Sequence, residues 1–245
     1  MEKNLNERIE NYWNKRSKDF SRVRRIELNG ASGVAWLSLI KKKLPKKFPL
    51  KILDVGAGAG FFSILLASQG HEVTGIDMSP KMIDEAKKNM ADFHCEINFL
   101  KMNAQELNFD DETFDVVISR NLTWTLPDAM QAYREWHRVL KFGGVLMNFD
   151  SDYGDKNFTN EKTCAKSELA DEMLAECNFI KDSLRISTHT RPSWDINLLR
   201  TLNLEVEFEE DISKLVQKDE LDYDSVPLFA IYATKKAKPF ILSSQ

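Results

Sequence analysis

KILDVGAGAGFFSILLASQ, residues 51–69, reads as a short buried strand, a glycine turn and an apolar helix in immediate succession, with Gly70 as the helix terminator. The turn Gly56-Ala57-Gly58-Ala59-Gly60 lets a ligand approach bare backbone. It also aims the free N–H groups of a helix N-terminus at that ligand. A strand that runs straight into such a turn predicts an α/β domain with a binding site at the strand's C-terminal end.

Downstream, the same rhythm repeats. EVTGID (72–77) is the next strand, and it ends on Asp77, 21 residues after Gly56. A carboxylate at that place can accept both hydroxyls of a ribose. Ser79 and Pro80 open a helix that runs to about Met90. Strands follow at INFLKM (97–102) and FDVVIS (114–119), then a helix from Asp128 to Leu140, a turn at Gly143–Gly144 and strand VLMNF (145–149). Strands alternating with helices predict a largely parallel sheet covered on both faces. Upstream, residues 4–20 read as a helix with Leu5, Ile9 and Trp13 on one face. Residues 26–44 read as a second helix, weakened by Gly30 and Gly33 and ended by Pro45. After Asp150 the pattern becomes helical, with the irregular segment STHTRPSW (187–194). Two late strands, LEVEF (204–208) and LFAIYATK (228–235), suit an antiparallel edge.

The loop also discriminates between cofactors. A dinucleotide fingerprint needs a small residue where Phe61 stands, and Asp54 would repel a pyrophosphate. A sulfonium cofactor with an amino-acid tail tolerates that acid. In order and at proper spacing, LDVGAGAGFFS, GIDMSPKMIDEAKKN, NAQELNFDDETFDVVISRN and REWHRVLKFGGVLM resemble the class I S-adenosylmethionine-dependent methyltransferases that act on small molecules, over about 51–149. The resemblance implies a Rossmann-like, seven-stranded, mostly parallel sheet with its last strand antiparallel. It implies one domain, in which 1–45 is a helical lid, 51–150 the cofactor core, 151–200 a helical insert and 201–245 the closing strands. Gly56, Ala57 and Gly58 would line the methionine end of the cofactor, beside Asp54. Asp77 would hold the ribose, and Met78 would pack on the adenine. The family's Asp-Ala after the third strand is Asn103-Ala104 here, so the adenine amino contact falls to Asn103 or shifts to Gln105. Arg120 ends the fourth strand, where backbone carbonyls meet the methionine ammonium in this family.

Composition limits the partners. The 245-residue chain carries a net charge of −4, and its densest basic run, KKKLPKK (41–47), is short, so a nucleic-acid groove is not expected. Arg120-Asn121-Leu122-Thr123 also departs from the Pro-Pro-aromatic run of nucleic-acid amino methyltransferases. No apolar run is long enough for a membrane span, and the charged N-terminal segment does not read as a signal peptide, so a cytoplasmic protein is expected. Cys95, Cys164 and Cys177 form no metal or disulfide pattern.

The acceptor is less legible. Tyr12, Trp13 and Trp124 read either as core aromatics or as walls near the reacting cation. Asp150 either touches substrate or caps a loop. His189, Arg191 and Trp194 form either a substrate clamp with a base or a surface loop. Methyl transfer to O, N or C of a small molecule is the expected activity. Aminopropyl or carboxymethyl transfer on the same fold, and a cofactor-binding regulator without turnover, are the alternatives.

Overall fold

A computed structural model describes residues 2–159, 171–221, 223 and 225–236. Helices α1 (Glu2–Asn29) and α2 (Ala31–Lys41) precede the first strand. Then come β1 (Lys51–Val55), α3 (Phe61–Ala67), β2 (Glu72–Asp77), α4 (Pro80–Ala91), β3 (Ile97–Lys101), β4 (Phe114–Arg120), α5 (Ala129–Val139) and β5 (Leu140–Ser151). The chain continues through α6 (Asp171–Asp182), α7 (Ser193–Thr201), β6 (Leu204–Glu209), α8 (Ser213–Val216) and β7 (Leu228–Lys235). All seven strands form one sheet in the order β3-β2-β1-β4-β5-β7-β6. The pairings from β3 to β5 are parallel, and β7 lies antiparallel between β5 and β6.

Helices cover both faces. On one, Trp36 of α2 meets Phe61 and Phe62 of α3 and Phe149 of β5, with ring centroids 6.4, 5.1 and 4.9 Å away. On the other, Tyr133 and Trp136 of α5 pack with Ile180 of α6 and Leu199 of α7. The middle strands are therefore buried on both sides, which is why they read as apolar runs rather than alternations.

Helix α1 crosses the C-terminal ends of the strands. Glu10 Oε1 accepts from Lys101 Nζ (2.9 Å) at the end of β3. Asn14 Oδ1 accepts from Ser79 Oγ (2.8 Å) just past β2. Phe20 stands 3.2 Å from where a Cβ on Gly58 would be, just past β1, and Glu27 pairs with Arg120 at the end of β4. The helix thus runs from β3 to β4 over the mouth of the site.

Three boundaries differ from the sequence reading. The first helix continues to Asn29, and the break falls at Gly30, where the remote Asp219 carboxylate accepts from Ala31 N (2.9 Å) and Ser32 N (3.2 Å). A cap supplied from 188 residues away leaves no local signal. β5 begins at Leu140, so Gly143 and Gly144 lie inside an irregular strand start rather than between elements; a Cβ on Gly144 would meet Asp115 O at 2.8 Å. Ser193 and Trp194 open α7 rather than ending a loop. Cys164 lies outside the described residues.

Candidate functional site

The glycine turn has left-handed backbone at Gly56 (φ +68°) and Gly58 (φ +53°), which side chains rarely adopt. A Cβ on Gly56 would lie 2.8 Å from Leu122, so the loop after β4 closes directly on the turn. The bare peptides of 56–58 form one wall of a cavity of about 880 Å³, counting the open space at its mouth.

Two carboxylates stand behind this wall. Asp54, on β1, accepts from Ser63 N (2.9 Å) and Ser63 Oγ (2.6 Å), so a strand residue satisfies an orphan N–H in the first turn of α3. Burial pushes Asp54 up to about 7 against the Ser63 hydrogen bonds, and neighbouring Asp77 adds to the rise. Asp77 accepts from Gly58 N (2.9 Å) and Ser79 N (2.8 Å), which fix the carboxylate at the end of β2. Burial raises it to about 6, while those two N–H groups act the other way. Hydroxyl or cationic donors on a ligand would favour the charged form of both groups.

Met78, Asn103, Ala104 and Gln105 line the cavity beyond Asp77, and Arg120 lines its opposite end. Asn103 Oδ1 already accepts from Gln105 N (3.0 Å) and Gln105 Nε2 (3.1 Å), and Gln105 Oε1 from Asp128 N (2.6 Å). Arg120 donates twice to Glu27 (3.0 and 2.9 Å) and lies over the Trp36 ring, 4.7 Å from its centroid. Arg24 donates to the same carboxylate. Burial works to raise Glu27, but Arg120 and Arg24 outweigh it and hold the group down at about 2. Asn6 and Asn121 line the cavity, and the Oδ1 of each is buried without a hydrogen-bond partner. A ligand with N–H donors would satisfy them.

Of the sequence-nominated aromatics, Trp13 lines the cavity. Tyr12 is core, packed edge-on to Trp13 at 5.1 Å, and Trp124 stands behind Trp13 with Tyr153 and Phe158 around it. Asp150, His189, Arg191 and Trp194 are not among the cavity's lining residues. Arg191 lies buried between Asp195 (2.9 and 2.8 Å) and Asp150 (3.1 Å). Asp150 also accepts from Trp124 N (3.0 Å) and from Thr123, while Tyr133 donates to Asp195 (2.7 Å). The clamp read from STHTRPSW is thus an internal ion network. Its arginine reads like a surface fork because Asp150, 41 residues away, reaches it only on folding, which also buries the pair it makes with Asp195 four residues on. His189 stacks on Trp194 at 4.8 Å.

The sequence reading missed Asn6, Phe20, Arg24 and Asn121, all of which line the cavity. For those on the first helix the sequence holds only a shared face. Asn6, Ile9, Trp13, Phe20 and Arg24 lie on one helical stripe, visible once the first helix is allowed to run past residue 20. Among the described residues there is no metal-type cluster and no helix long and apolar enough to cross a membrane.

Residues 53–148 match the family model of the methyltransferase domain. The chain is 36% identical to YqeM of Bacillus subtilis, a protein named as a methyltransferase, over 46% of each chain. It is 31% identical to the demethylmenaquinone methyltransferase of Listeria welshimeri over 62% of this chain and 65% of that one. It thus spans about half to two thirds of the length of these curated relatives. A crystal structure of a SAM-dependent methyltransferase from Methanosarcina mazei shares the fold, with a TM-score of 0.58 at 22% identity, over 82% of this chain and 98% of that one.

Proposed function

We propose that this chain is a class I S-adenosylmethionine-dependent methyltransferase that transfers the cofactor's methyl group to a small-molecule acceptor, leaving S-adenosylhomocysteine. The observation that carries this reading is the placing of a bare glycine wall, a fixed carboxylate and unpartnered carbonyl oxygens on one cavity. Those groups fit the cofactor. Asp77 would accept from the ribose hydroxyls, the peptides of Gly56, Ala57 and Gly58 would flank the methionine tail, and Asn121 Oδ1 would accept from its ammonium. When bound, S-adenosylmethionine supplies an electrophilic methyl carbon on sulfur.

The protein's own part is alignment and exclusion of water. Trp13 and Phe20 of α1 line the cavity and meet edge to face with centroids 5.6 Å apart, an apolar cover of aromatic rings that favours a cation. Among the described lining residues the titratable groups are Arg24, Asp54, Asp77 and Arg120, and both carboxylates already accept from backbone N–H groups. This favours an acceptor that is nucleophilic without a strong base, such as an amine, a thiol or an acidic hydroquinone. The name of the relatives called demethylmenaquinone methyltransferase supports including quinone-type acceptors among the candidates.

The test is incubation of the protein with S-adenosylmethionine and a panel of hydroquinones, phenols, thiols and amines, read by mass spectrometry. Acceptor-dependent S-adenosylhomocysteine supports the reading. Methylthioadenosine as product would indicate aminopropyl transfer. Tight cofactor binding with no product from any acceptor class would indicate a regulator.

A further inference from the structure

The cavity contains a polar group that the family's motifs do not explain. Asn6 Oδ1, on α1, is buried against it without a partner. Residue 6 also lies outside the 53–148 segment that matches the methyltransferase domain.

Its place along the mouth follows from the path of α1. Glu10, one turn further on, is held by Lys101 at the end of β3, and Asn14 by Ser79 just past β2. Asn6 therefore sits at the β3 end, near the segment 102–105, and far from Glu27 and Arg120 at the β4 end. On the methyltransferase reading, the ribose is held at Asp77 and the amino-acid tail runs along Gly56–Gly58 toward β4. The base then extends the other way, toward β3.

An adenine there brings a 6-amino group that needs an acceptor. The two side-chain oxygens nearest in sequence to the motif are engaged: Asn103 Oδ1 receives two N–H groups of Gln105, and Gln105 Oε1 receives Asp128 N. A carbonyl oxygen has two acceptor sites, so Asn103 has none left and Gln105 keeps one. Asn6 Oδ1 has both. A buried acceptor without a donor is costly, and a ligand that brings one removes that cost.

Resting on the methyltransferase reading, we propose that Asn6 accepts the adenine 6-amino group of the cofactor, so that α1 carries the base-recognition contact as well as covering the site. The helix and the cofactor then stabilise each other, because closing α1 completes the nucleobase site.

Calorimetry with S-adenosylhomocysteine and its analogue with hydrogen in place of the 6-amino group tests this without any acceptor. The wild-type protein should prefer the amino form by roughly tenfold, the range of one hydrogen bond to an otherwise unsatisfied buried group. Asn6→Leu should lose that preference and bind the 6-hydrogen analogue about as the wild type does, while Asn6→Asp, which keeps an acceptor, should retain it. Asn6→Ala serves as a second truncation, and thermal melts establish that each variant is folded. A folded Asn6→Leu or Asn6→Ala that keeps the wild-type preference overturns the proposal and leaves the methyltransferase reading intact, as does a wild type with no preference. A folded wild type that binds neither ligand overturns both.

Discussion

Asp77 accepts from two backbone N–H groups, and burial still holds it at about 6. Removing it would leave two ribose hydroxyls without a charged acceptor. Since hydrogen bonds to charged groups are worth ~1.5–3 kcal/mol, Asp77→Ala should weaken S-adenosylhomocysteine binding roughly 10- to 150-fold by calorimetry. Unchanged affinity in a folded variant would remove Asp77 from the site. Asp54 and Asp77 also make stability depend on pH. Their folded values, about 7 and about 6, lie above the ordinary 3.8, so the folded protein binds more protons than the unfolded chain from about pH 4 to pH 7. Their contribution is greatest at acid pH and is lost as pH rises through the folded values. Asp54→Asn, which keeps a carbonyl for Ser63, should therefore gain on the wild type in melting temperature between pH 5 and pH 7.5. A gap that stays constant across that range would show that Asp54 does not titrate there. Both carboxylates were legible in the sequence, because each follows a strand–turn rule. Asn6 and Asn121 were not, because an unsatisfied carbonyl can be recognised only once its surroundings are known.

At the scale of elements, α1 and the network around Arg191 make opposite claims. Helix α1 covers part of the cavity with Trp13 and Phe20, and Phe20 lies against the glycine turn, so a motion of α1 would widen the entry for ligand. S-adenosylhomocysteine should slow hydrogen exchange across residues 5–24 as well as in the 56–60 turn. Protection confined to 56–60, 77–78 and 103–105 would make α1 fixed scaffold. Arg191, by contrast, ties α7 to the end of β5 and to the turn at Thr123–Thr125, with Asp150 and Asp195 fully buried around it. Truncating one member of a buried pair costs ~3–5 kcal/mol, because the partner charges remain. Arg191→Ala should lower the melting temperature sharply and change S-adenosylhomocysteine affinity little where the variant is still folded. A variant of wild-type stability with lost turnover would restore the substrate clamp. Strands β1, β2 and β7 were readable to the residue, since their burial on both faces is written in their composition. The end of α1 was not, because its successor is capped by Asp219 from the far end of the chain.

For the whole molecule, the matched segment 53–148 is only part of what closes the site and the core. Trp36 of α2 is fully buried against Phe61, Phe62 and Phe149, and α1 spans four strand ends. Deleting residues 1–45 should expose that aromatic face and open the cavity, giving a chain that binds a hydrophobic dye and melts without a cooperative transition. A truncated chain that melts cooperatively and binds S-adenosylhomocysteine would show the N-terminal helices to be accessory. The alternation of strands, the glycine turn and Asp77 could be read directly from the chain, because strand, turn and helix N-terminus are local and their chemistry travels with neighbouring residues. Which side chains finish the cavity could not. Asn6, Phe20 and Asn121 become a site, and Arg191 becomes a core cation, through contacts between residues up to 93 or more positions apart, such as Glu27 with Arg120. Burial and pairing at that range follow from how the helices dock on the sheet, which no local pattern encodes.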